Sequence, residues 1–164
     1  MKYIIALSLP IIILFQLSLL EGFKYLHFIP NLILVFFVFL AVYMDLKNSV
    51  IYAFIIGLTL DTLSINTFGI YSAFYILMAI IIDFIKKYIG TAKSFSLVLI
   101  STALSSLLLI VIESLIISSL KGSNIGVIMP IISSLFLRVV SSTMTVFIFY
   151  PIFNSINIKN PTYE

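Results

Sequence analysis

The chain has 164 residues, 62% of them hydrophobic and only 9% charged, with a mean hydropathy of +1.28. A water-soluble domain carries about 25% charged residues, so this chain cannot clothe a water-facing surface and reads as an integral membrane protein. It has no cysteine, which excludes disulfides and thiolate chemistry, and its net charge of +3 lies in short corners, not in the basic stripe that nucleic acid requires.

Six apolar runs follow one another along the chain. The first, 3–20, has Lys2 ahead of it and Pro10 near its middle, a kink position that membrane helices accommodate. It has the polarity of a signal peptide, but Glu21-Gly22-Phe23-Lys24 follows in place of a small-x-small cleavage site, so it reads as an uncleaved span. The second run, 28–44, begins beside His27 and contains Pro30. A polar corner, Asp45-Leu46-Lys47-Asn48, leads into the third, 48–65, which carries Gly57 and, one helical turn later, Asp61. The loop Asn66-Thr67-Phe68-Gly69 precedes the fourth, 69–85, which stops at Lys86-Lys87. The fifth, 94–120, contains Glu113, and the sixth, 127–153, contains Arg138 and Pro151. A polar tail, 154–164, remains. Each run reaches the roughly 17 residues a spanning helix needs. The fold expected is all-α: one polytopic membrane domain, residues 1–164, with six transmembrane helices.

Lysine placement orients the spans. With the N-terminus inside, the inner corners hold Lys2, Lys47, Lys86, Lys87, Lys93 and Lys159, and the outer corners only Lys24 and Lys121. Positive-inside topology therefore predicts that both termini are cytoplasmic. Tyr3, Tyr25, Tyr43, Tyr71, Tyr88 and Tyr150 lie near span ends and fit an interfacial belt.

Ionisable residues within apolar runs carry the most information, because a charge in hydrocarbon needs a partner. Asp83 and Lys87, one turn apart, make an ordinary interfacial pair. Gly57 removes bulk beside Asp61, so a second helix can approach closely there. Asp61 reads either as a cap for the amides around 66–70 or as a proton or ion relay; a lone acid does not make a relay, which favours the cap. On that reading Asp61→Asn would be tolerated. Glu113 and Arg138 face each other across a short corner and are expected to pair, the alternative being that Arg138 snorkels or meets Asp61. Ser101, Thr102, Ser105, Ser106, Ser114 and Ser118 recur at spacings near three and four, either for internal packing or as a docking face for a partner. No Walker loop, zincin motif or Ser-His-Asp set can be assembled, and His27 has no second ligand at helical spacing. No enzyme activity, metal or cofactor is expected.

The run from Pro30 to Gly69 resembles the bacterial rod-shape-determining MreD family: a Pro-containing start to the second span, Gly57-x-x-x-Asp61, then the loop glycine Gly69. The Leu-x-Arg138 run and the Phe-Ile-Phe-Tyr-Pro151 ending also resemble that family's last helix. The resemblance implies a six-helix, non-catalytic scaffold subunit of the cell-elongation complex in the bacterial cytoplasmic membrane. It implies association with the bitopic protein MreC, and through it with the actin-like MreB and the peptidoglycan polymerase and transpeptidase. It also implies a fold similar to the substrate-binding subunits of energy-coupling-factor transporters. A vitamin-binding subunit of such a transporter is the competing function. Against it, the first span reads Ala6-Leu-Ser-Leu-Pro10, without the Ala-x-x-x-Ala face by which such subunits couple to their core.

Overall fold

Pro30 and Asn31 begin the helix around which the bundle is built. In the computed structural model, residues 12, 14, 16, 30–63, 68–89, 95–121 and 137–151 are described, with 116–121 as backbone only. Pro10 and most of the first run, His27, Asn66 and Thr67, residues 127–136 and the 154–164 tail lie outside the described residues. The described helices are α1 (Leu32–Tyr43), α2 (Leu46–Leu63), α3 (Ile70–Ile89), α4 (Phe95–Lys121) and α5 (Leu137–Pro151). Everything described is helix or its connecting turns. Among these helices, α2 and the Phe95–Leu115 part of α4 are long and apolar enough to cross a membrane.

Several boundaries differ from the sequence expectation. α1 starts at Leu32, not 28, because the Asn31 side chain caps it: Oδ1 accepts the Leu34 N–H at 3.0 Å. α2 starts at Leu46, inside the corner expected to be loop, with the Asp45 carbonyl accepting the Ser49 N–H at 2.9 Å. α3 runs through Lys86-Lys87 to Ile89. That extension has a use, since Lys86 Nζ donates to the carbonyls of Ala41 at 3.1 Å and Met44 at 2.7 Å, closing the C-terminus of α1. Lys87 pairs with Asp83 at 2.8 Å, one turn back.

α1 is enclosed on every side: all ten residues from Ile33 to Val42 are buried. A helix apolar around its whole circumference belongs either in a core or in lipid, and packing against α2, α3 and α4 makes it the core. The outer helices reverse the soluble pattern. Ile51, Phe54, Ile55 and Leu58 of α2, Leu77, Ile80 and Phe84 of α3, Leu107, Val111 and Leu115 of α4, and Met144, Phe147 and Ile148 of α5 are exposed. Ser49, Asp61, Ser72, Ser101, Thr102, Ser105, Ser106, Ser141, Ser142 and Thr145 are buried. Apolar outside and polar inside is the arrangement suited to lipid as solvent. Within α4, the Thr102, Ser105 and Ser106 hydroxyls donate to carbonyls a turn earlier, at 2.6–2.8 Å.

Candidate functional site

Two polar centres share one end of the bundle. α1 begins there and the first described turn of α5 lies there, whereas Tyr150 and Phe147, late in α5, meet Phe95 at the start of α4 in T-shaped ring contacts. Lys86 and Met44 also lie toward that opposite end.

The first centre joins α2 to α3. A Cβ on Gly57 would lie 2.3 Å from Ser72 Cα and 2.7 Å from Ser72 N, so backbone touches backbone and only glycine fits. One turn on, Asp61 is 1% exposed. Its Oδ1 accepts the Tyr71 N–H at 2.9 Å, and its Oδ2 accepts both the Ser72 N–H at 3.0 Å and the Ser72 hydroxyl. The Gly69 N–H is directed at the same carboxylate. Among the described residues, the cap takes in Gly69 of the expected 66–70 loop and extends to the first turn of α3. A helix N-terminus leaves N–H groups without partners and carries partial positive charge, and a carboxylate from the preceding helix answers both. Gly69 has φ +93°, in the left-handed region that favours glycine, and its carbonyl accepts the Ala73 N–H at 3.1 Å. Because both carboxylate oxygens accept backbone N–H groups, Asp61→Asn is now expected to cost stability where the sequence reading expected it to be tolerated.

The second centre gathers α1, α4 and α5. Arg138 Nη1 donates to Glu113 Oε2 at 3.3 Å, with the two side chains 41% and 19% exposed. Arg138 thus meets Glu113, while Asp61 is engaged with α3. One turn along α5, Ser142 Oγ accepts the Asn31 N–H at 3.0 Å, and Gln16 Oε1 accepts the Leu32 N–H at 2.9 Å. These bonds tie the start of α1 to α5 and to the first run. Asn31, Ser106, Glu113, Arg138 and Ser142 border a half-open cleft of about 10 Å³. That is room for one water, far below the ~300 Å³ of small-molecule pockets. Tyr71 lies between the centres, bonded through its N–H to Asp61 and within electrostatic reach of Glu113 and Arg138. Pro30 lies just ahead of the α1 cap, its carbonyl accepting the Leu32 N–H at 3.1 Å, and Pro151 is exposed at the last described turn of α5. Among the described residues, no three His, Cys, Asp or Glu side chains gather as metal ligands would.

Sequence reasoning did not single out Gln16, Asn31, Ser72 or Ser142, and it read Lys86 only as an inner-corner charge. Asn31 had a signal, an N-cap residue directly before an apolar run. Lys86 and Ser142 act on helices distant in sequence, which leaves no spacing to read, and nothing in the spacing marks Gln16 or Ser72.

Residues 1–156 match the sequence pattern of the family described as rod shape-determining protein MreD. The chain belongs to the MreD family. No curated protein and no solved structure matches it at a significant level. Family membership makes this a membrane protein of the rod-shape system, and the apolar outer faces of its helices agree with that. Three of the residues that carried the resemblance, Gly57, Asp61 and Gly69, form the α2–α3 joint of this MreD chain.

The ion pair yields a measurable coupling. Glu113→Gln and Arg138→Gln should each lower stability, and the double change should recover about 0.5–1 kcal/mol relative to additivity, the modest value reflecting partial exposure. Denaturant titration of all four proteins in mixed micelles checks this, and strictly additive losses would remove the pair from the account.

Proposed function

We propose that this chain is a non-catalytic scaffold subunit of the bacterial cell-elongation complex. It would bind an MreC-like bitopic membrane protein and, through it, act with an MreB-like actin and the peptidoglycan polymerase and transpeptidase in lateral wall synthesis. The observation that carries the proposal is the family match over residues 1–156. The polar chemistry supports it: Asp61 spends its oxygens on the α3 backbone, and Arg138 and Glu113 meet each other. Such groups hold helices in register and leave little for turnover. The cleft of about 10 Å³ weighs against a bound vitamin at that place.

In this reading the whole chain, 1–164, is one unit in the cytoplasmic membrane, with six spans arranged as in energy-coupling-factor substrate-binding subunits and both termini cytoplasmic. A reporter active only outside the membrane, fused to the C-terminus, should give no signal. Depletion should round the cells, and detergent extraction should recover the chain with an MreC-like partner. Recovery with an ATPase and a transporter core would overturn the scaffold.

A further inference from the structure

The Glu113–Arg138 pair sits at the mouth of a cleft and faces outward, with more than internal pairing to offer. Among the described residues, Arg138 meets one acceptor through Nη1, and Glu113 Oε1 receives no donor. A cation and an anion are therefore presented side by side, each with capacity left. On the same turns of α4 and α5, the apolar side chains of Val111, Leu115, Leu137 and Met144 are exposed.

The depth of this pair follows from helix geometry. α1 spans from the cleft to Lys86, and its 12 residues measure about 18 Å. Arg138 lies one turn of α5 beyond Ser142, the partner of Asn31, which adds about 6 Å. Counting along α3 from Lys86 to Tyr71 gives about 22 Å. Against a hydrocarbon thickness of roughly 30 Å with Lys86 near one boundary, Arg138 is within side-chain reach of the opposite headgroups.

We infer that Glu113 and Arg138 form a phospholipid headgroup site selective for phosphoethanolamine, with phosphate on the Arg138 guanidinium and ammonium on Glu113 at the cleft. A zwitterion matches a zwitterionic pair and brings no net charge into a poorly solvated place, whereas an anionic headgroup would set a second negative charge beside Glu113. The cleft, about 10 Å³, admits a group the size of water. An ammonium has that size and the N–H donors that Glu113 Oε1 and the Ser142 and Ser106 hydroxyls accept; trimethylammonium has neither. The exposed apolar side chains on the same helical turns suit acyl chains, so the ligand is a membrane lipid and not a soluble phosphoester.

The test titrates the full-length protein in micelles with phospholipids of identical acyl chains and reads binding by native mass spectrometry. Phosphatidylethanolamine should bind about tenfold tighter than phosphatidylcholine, the effect of one charge-assisted hydrogen bond, with mono- and dimethylated headgroups between them. Phosphatidylglycerol should bind no tighter than phosphatidylcholine. Glu113→Gln should bring the ethanolamine-to-choline ratio close to one, and Arg138→Gln should weaken all three lipids together. Soluble phosphoethanolamine at millimolar concentration should not displace the lipid. Equal binding of ethanolamine and choline lipids by the unaltered protein overturns the site, as does preference for phosphatidylglycerol or displacement by the soluble headgroup. A flat series means the pair faces something else, a partner's side chain included. Because the headgroup series needs no substitution, it decides the matter even if the variants fail to fold.

Discussion

Gly57→Ala should cost about 3 kcal/mol or more of stability and separate α2 from α3, although the change adds a single methyl group. At an exposed helix position the same change gains about 1 kcal/mol, because alanine is the better helix former. Here the sign reverses. The new Cβ would sit 2.3 Å from Ser72 Cα, and backbone cannot rotate away as a flexible side chain can. The helices must part, which also pulls Ser72 and Tyr71 from Asp61. Gly57→Leu should prevent stable accumulation altogether. Gly69→Ala is the matched control: its Cβ would meet open space, and the positive φ alone should cost about 1–2 kcal/mol. The chain has no tryptophan, so far-UV circular dichroism during denaturant titration in mixed micelles is the suitable readout. A Gly57→Ala protein as stable as the parent would disprove the close contact.

Asp61→Asn should cost about 1–3 kcal/mol despite near-identical shape. A carboxylate offers acceptors on both oxygens, and Oδ1 and Oδ2 each take a backbone N–H from α3. A carboxamide offers one oxygen, so its NH₂ must confront either the Tyr71 or the Ser72 N–H in a buried site. Asp61→Ala should cost more, since it strands both amides and the Ser72 hydroxyl. Ser72→Ala removes only the hydroxyl donor and should be the mildest of the three. The same titration ranks the variants, and complementation of cell shape supplies the functional reading. An Asp61→Asn chain that is fully stable yet fails to complement would transfer Asp61 from a structural to a charge-dependent role.

Much of the architecture was legible in the order of residues. Hydrocarbon tolerates few polar atoms, so composition pointed to the membrane class, and apolar run lengths located α1 to α4 to within a few residues. The joint was legible as well. Glycine followed one turn later by a buried-type acid is costly in lipid unless a second helix comes close and supplies donors, and α3 supplies both the contact and the amides. Glu113 and Arg138 were expected to meet for the same reason, because a charge in hydrocarbon without a partner is expensive.

The tertiary structure decided which apolar surface is core and which faces lipid. In water, hydrophobic periodicity marks the buried side of a helix; in a bilayer, leucine and phenylalanine serve both sides equally well. The unbroken run Ile33–Val42 could equally have been a peripheral lipid-exposed span, and only the packing of its neighbours shows it enclosed. Conversely, Phe54 and Phe84 are apolar and large yet point outward. The partners that tie distant helices together were equally hidden. Lys86 caps α1 from 42 residues beyond Met44, and Ser142 receives the Asn31 amide from 111 residues away. A hydrogen bond across such a separation leaves no spacing to read, because the chain between is free to take many paths and only the folded bundle selects one.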